Sequence, residues 1–292
     1  MTAHETATLT GRLLPIGLLL AAVTLLGLAL TGHRVGRRSR LRLEALAGCA
    51  AVVAVVTSPL DGWSDASVAH HMVQHLILVV VAAPLLALGE PAALLGSIGP
   101  TGWRRSHLRA HRWLRRSVTS VPGALAATVP FVIVMSVWHV PAWYDAAVQH
   151  ELLHGVEHVM LLLTAALAWS VLPLDVLNRT TPPPRRAPAP FPGPALAALG
   201  LMMLHGAALG LLLLVLPHRI YQRPPNAEGV WHAVGDQQAA GAVLWAVGGT
   251  TAALVMVVLF GWWLATQDRP TSTGTPTRQG PEQLRENDHQ PV

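Results

Sequence analysis

The fold is read from one stretch, VAHHMVQHLILVVVAAPLLALG, residues Val68–Gly89. As a helix rising 1.5 Å per residue it reaches about 33 Å, enough to cross a hydrocarbon core of roughly 30 Å. Its opening turns carry four polar side chains, His70, His71, Gln74 and His75. The rest is apolar, and Pro84 is tolerated inside a transmembrane helix through a local kink. The stretch therefore predicts a membrane span with histidines at one end.

The whole chain has the same character. Of its 292 residues 52% are hydrophobic and only 12% charged, and mean hydropathy is +0.44. A soluble globule of this make-up has too little polar surface to cover itself. Cys49 is the only cysteine, which excludes an intrachain disulfide and a cysteine-built metal cage. All 20 basic residues are Arg. They lie between apolar runs rather than on a folded basic face, so the high pI points to membrane topology and not to nucleic acid.

Working outward from Val68–Gly89, six further runs are long enough to span: Leu13–Leu30, Leu43–Leu60, Val121–Trp138, Leu152–Leu172, Ala195–Leu216 and Ala239–Thr266. The first lacks a basic flank and a clear cleavage site, and reads as a retained helix rather than a signal peptide. Alternating the connections between two sides puts 17 of the 20 Arg on one face, and only Arg12, Arg219 and Arg223 on the other. The positive-inside rule then sets the N-terminus outside and the C-terminus in the cytoplasm. The expected fold is an all-α integral membrane protein of seven transmembrane helices. Residues 1–12 form a short outer tail, 13–266 the membrane domain, and 267–292 a disordered cytoplasmic tail rich in Pro, Gln and Thr. Gly206 and Gly210 read as helix-packing contacts.

This topology sorts the 15 His. His33, His107, His111 and His289 fall on the cytoplasmic side. The other eleven are outside or within spans, most of them near the outer leaflet. His71 and His75 are spaced i,i+4, as are His150/His154 and His154/His158. Such pairs share a helix face about 6 Å apart along the axis and can clamp one ion. Five or more imidazoles entering from one side point to a metal or cofactor site more than to separate interfacial histidines. Imidazole suits copper, zinc and iron alike. Met72, Met135, Met160, Met202 and Met203 would favour Cu(I), although each alone reads more readily as packing. His150-Glu151-Leu152-Leu153-His154 matches the HExxH pattern of zinc proteases. It straddles the mouth of a span with no soluble catalytic domain around it, so His150 and Glu151 read better as interfacial residues.

Three blocks in order resemble one family, the CtaG-type (caa-oxidase) cytochrome c oxidase assembly factors. The first is His71-Met72-Val73-Gln74-His75, with Ala83-Pro84, Gly89 and Pro91. The second is Trp138-His139-Val140-Pro141 and Tyr144, then His154, Glu157-His158 and Trp169. The third is Tyr221, Trp231, Asp236-Gln237-Gln238, Gly241 and Trp245. His70, His150 and His205 fall outside that signature. The resemblance covers roughly residues 60–265. It implies a multi-pass protein of the bacterial plasma membrane that supplies or handles copper for a heme-copper oxidase. The implied partners are the oxidase subunits and other copper chaperones, and no enzymatic turnover is implied.

The expected copper ligands are His71, His75, His154 and His158, with His139 the next candidate. Gln74, Glu157, Asp236 and Gln238 are expected behind them, orienting imidazoles through the other ring nitrogen. Asp236 has a competing reading as the N-cap of the last span. Three other functions stay open on the sequence: a membrane cytochrome with heme between facing His, an intramembrane HExxH protease, and a scaffold in which the His are silent. The topology itself is testable. A reporter fused after residue 266 should be active only if it works in the cytoplasm, and one placed within 61–67 only if it works outside. The opposite pattern at either site would overturn the orientation.

Overall fold

A computed structural model describes residues 37–57, 63, 67–89, 105–106, 109, 112–114, 116–172, 190–222 and 233–267. The expected first span, the outer tail, the tail beyond Gln267, and His4, His33, His107, His111, His232 and His289 lie outside the described residues. Within them the chain is helical and has no strand. The elements are α1 (Arg37–Thr57) and α2 (Val68–Leu76), which runs through a π-helical turn (Ile77–Ala82) into α3 (Ala83–Gly89). Next come α4 (Val121–Trp138), α5 (Pro141–Gln149), α6 (Glu151–Trp169) and α7 (Gly193–Val215). Last is α8 (Ala233–Val243), which runs through a second π turn (Leu244–Gly248) into α9 (Gly249–Gln267).

Five helices among the described residues are long and apolar enough to cross a membrane: Val68–Leu88, Val121–Trp138, Glu151–Trp169, Gly193–Val215 and Val234–Gln267. The expected 43–60 span falls short of that standard. Its helix α1 starts in an Arg-rich turn at Arg37 and its described part ends at Thr57. The expected last span begins too late at Ala239, because Asp236, Gln237 and Gln238 already lie within α8. The side chains of Asp236 and Gln237 there bond to backbone groups of neighbouring segments.

The five spans close into a ring. The α2–α3 helix packs on α6 and α8, α6 on α4, α4 on α7, and α7 on α8, while α1 lies against α3 and the adjoining π turn. Large apolar side chains such as Leu152, Leu163, Leu204 and Val257 face outward, as lipid-facing positions should. Lipid tails are as apolar as Leu, so helices associate here through close packing and hydrogen bonds. Gly210 and Gly241 provide the closest approach. A Cβ on Gly210 would stand 2.8 Å from the Gly241 carbonyl oxygen, and one on Gly241 2.5 Å from that of Gly210. Gly206, also expected as a packing glycine, has nothing within 4 Å of its would-be Cβ.

The first π turn has a legible cause. The Ala83 N–H donates to the Leu78 carbonyl rather than to that of Val79. The next residue, Pro84, has no N–H to offer. The Val79 carbonyl is thus left without a partner in its own helix. The Trp169 indole N–H, reaching from the end of α6, donates to it at 2.7 Å. A bare carbonyl in this setting has no water to turn to. Trp169→Phe keeps the ring and removes only the donor. It should lower the stability of the detergent-purified protein by about 1–3 kcal/mol, read as a fall in the thermal midpoint. An unchanged midpoint would show that the bond holds nothing.

Candidate metal centre

Two helix stripes build the centre. On α2, His71, Gln74, His75 and the following Leu78 repeat at i, i+3, i+4 and i+7, and all four are buried. On α6, His154, Glu157, His158 and Leu161 repeat the same spacing and are buried as well. Residues so spaced share one helix face, and the two faces meet. The His71 ring stacks on that of His154 with centroids 5.0 Å apart. His75 and His158 meet edge to face at 5.4 Å. Along the helices, His71 and His75 are 4.2 Å apart, as are His154 and His158. The four histidines named from the sequence thus form one cluster.

Glu157 lies at its centre, 0% exposed. Its carboxylate oxygens stand 3.5 Å from His71 Nε2 and 3.3 Å from His75 Nε2. Both distances exceed an ordinary N–H···O contact. They match two ligands of one tetrahedral ion, which at bond lengths near 2.0–2.1 Å lie about 3.4 Å apart. Ligand atoms of His71, His75 and Glu157 all lie within 4.8 Å of one another. Glu157 was expected behind the imidazoles; it stands instead among the candidate ligand atoms. The signal was present in the sequence, because Glu157 completes the same i, i+3, i+4 stripe that Gln74 completes on α2. His158 Nε2 is buried with no hydrogen-bond partner.

Of the other expected orienting residues, Gln74 and Asp236 bond to backbone groups. Gln74 Nε2 donates to the Val55 carbonyl of α1 at 3.5 Å. Asp236, in the first turn of α8, accepts from Ser67 Oγ at 2.6 Å, Val68 N–H at 2.7 Å and Ala69 N–H at 3.2 Å. It caps a helix, but not its own: the carboxylate closes the positive end of α2, where Ser67 also accepts from His70 N–H. Gln237, not Gln238, is the fully buried amide of that pair. It accepts from Ile220 N–H at 2.9 Å and donates to the His218 carbonyl at 3.2 Å.

His139 ends α4 and is buried. Its Nδ1 lies 2.7 Å from the Met135 carbonyl and its Nε2 3.2 Å from Met72 Sδ. The Tyr221 hydroxyl donates to the His139 carbonyl at 3.0 Å. Burial pushes the Tyr221 phenol above its ordinary range, so it stays protonated and keeps donating. His70 turns away and packs edge-on against Trp63. His205 pairs with Ser136 Oγ at 2.8 Å, beside a cavity of about 40 Å³ inside the ring. That cavity is lined from all five spans, by Leu76, Phe131, Trp169, His205 and Leu244 among others.

The HExxH string does not assemble. His150 is exposed, with extended backbone ahead of α6, and Glu151 is exposed too, while His154 turns inward. The facing pairs His71/His154 and His75/His158, with ring centroids 5.0 and 5.4 Å apart, are too close to admit a flat macrocycle between them.

Residues 25–266 match the family described as cytochrome c oxidase caa3 assembly factor (Caa3_CtaG). The chain belongs to that family. No curated protein and no solved structure matches it. Membership puts this membrane protein in cytochrome c oxidase assembly, in association with that oxidase.

The Asp236 cap supports a prediction. Asp236→Ala strips a carboxylate from two N–H groups of α2 and should cost about 0.5–2 kcal/mol, seen as a lower thermal midpoint. A variant as stable as the parent would mean that Ser67 alone suffices to cap α2.

Proposed function

We propose that this chain takes up copper at the buried cluster of His71, His75, His154, His158 and Glu157. It passes the ion to a heme-copper cytochrome c oxidase during assembly. Copper is its cargo, carried as Cu(I), and the chain performs no turnover of its own. The observation that supports this reading is the convergence of His71, His75 and Glu157 from two facing helices at ligand spacing. A carboxylate buried among imidazoles is costly unless a cation shares the site. Of the five, the three that converge at ligand spacing, His71, His75 and Glu157, leave coordination incomplete, which release of the ion requires.

The proposed setting is the bacterial plasma membrane, with seven spans, the N-terminus outside and the cluster opening outward. The Arg distribution supports that orientation, and it faces the cluster toward the side from which copper would arrive. Oxidase subunits and other copper chaperones are the proposed partners. The close stacking of His71 on His154 weighs against the heme reading, and the exposure of His150 and Glu151 against the protease reading.

The test is metal analysis of protein loaded with Cu(I) under reducing conditions, alongside oxidase activity of the membranes. His75→Ala and His158→Ala should each lower copper stoichiometry and oxidase activity while membrane abundance stays the same. His107→Ala should change neither. Unchanged copper content in the double variant His75→Ala/His158→Ala would sink the assignment. A Soret band in the purified protein would favour heme.

A further inference from the structure

The His139–Met72 contact lies beside the cluster and differs from it in chemistry. A carbonyl oxygen only accepts, so His139 Nδ1, 2.7 Å from the Met135 carbonyl, carries the ring proton. In the neutral imidazole Nε2 is then a bare lone pair. It faces Met72 Sδ at 3.2 Å, and a thioether has no proton to give. Two lone-pair donors therefore converge with no hydrogen between them. Met72 is 0% exposed and His139 5% exposed, so neither is served by solvent.

The spacing suits a shared ion. Ligands bound at roughly 2.0 Å through nitrogen and 2.3 Å through sulfur stand from about 3 Å apart, near a right angle, to about 4.3 Å when opposed. The observed 3.2 Å is near the bent limit, which leaves a flank open for a third ligand. His75 is the candidate for it, its ring centroid 6.4 Å from that of His139, with Nδ1 buried and lacking a hydrogen-bond partner. Both donors are also held by their surroundings. The Tyr221 hydroxyl fixes the backbone of His139, and Met72 follows His71 on the capped helix α2.

We propose that Met72 and His139 form a second ion station, selective for Cu(I) or another soft monovalent cation, next to the His71/His75/Glu157 group. This rests on the copper-handling reading and divides it in two. The nitrogen and oxygen donors around Glu157 accept divalent copper or zinc as well as Cu(I). The thioether restricts its own station to soft ions. A soft ion can pass between the stations by exchanging ligands at His75, the ring proton moving to the nitrogen that the ion leaves, with no change of net charge or oxidation state.

The experiment uses the full chain in detergent, with Ag(I) as a redox-inert probe, Zn(II) as the harder comparison, and X-ray absorption of the Cu(I)-loaded protein. The parent should show sulfur among the copper neighbours. Met72→Leu should lose that sulfur shell and one equivalent of Ag(I), with Zn(II) stoichiometry unchanged. His139→Ala should lose the same Ag(I) equivalent and serves as an independent check on the Met72 result. Copper in the parent bound through nitrogen and oxygen alone would overturn the second station yet leave copper handling standing. A Met72→Leu protein that keeps the sulfur shell would overturn it too. A parent that binds no copper would remove both.

Discussion

A fully buried carboxylate among imidazoles is the constraint around which this ring of helices is arranged. Inside a membrane, Glu157 cannot recover its hydration energy from water, and the low dielectric makes an uncompensated charge there expensive. Its oxygens contact two histidines at distances too long for good hydrogen bonds and right for ligands of a common ion. The surrounding apolar packing of Leu76, Leu161 and Ala165 excludes competing water.

The scaffold meets that demand through bonds from side chains to backbone. Trp169 takes the carbonyl that Pro84 leaves bare, and so ties the end of α6 to the middle of the α2–α3 helix. Asp236 ties α8 to the first turn of α2, and Tyr221 ties the segment after α7 to the end of α4. Each bond satisfies a backbone group that lipid would punish. Each also fixes a helix that carries a histidine of the site. The Gly210–Gly241 crossing adds the close backbone approach that completes the ring.

Five of the seven expected spans reappear among the described residues, legible because length and hydropathy are properties of the chain alone. Val121–Trp138 was bounded to the residue, and Leu152–Leu172 and Ala195–Leu216 to within three. The four clustered histidines were legible for the same kind of reason, since i,i+4 spacing sets a common face before any partner is known. Which face meets which was not legible. Spacing could not say that Glu157 points with its neighbouring histidines rather than behind them, nor that Met72 would meet His139 across 67 positions of sequence. Asp236 shows the limit well. Its place near a helix start suggested a cap, but the helix it serves lies 168 positions earlier, and only folding brings that end within reach.

The π turn at Ile77–Ala82 has a consequence for the phase of the helix that carries it. A single wide turn accommodates one residue beyond the ordinary repeat, and one residue of an α-helix corresponds to about 100° of rotation. The part of the helix above the turn is therefore rotated by about a quarter of a circle relative to the part below. Below it, α3 packs against α1 and α6. Above it, the stripe of His71 and His75 faces α6 and its carboxylate. An uninterrupted α-helix through this segment could hold one of those alignments but not both. The π turn just ahead of Pro84 thus acts as a gear between two faces, letting one continuous span pack against α1 and α6 at one end and turn its histidine stripe toward Glu157 at the other.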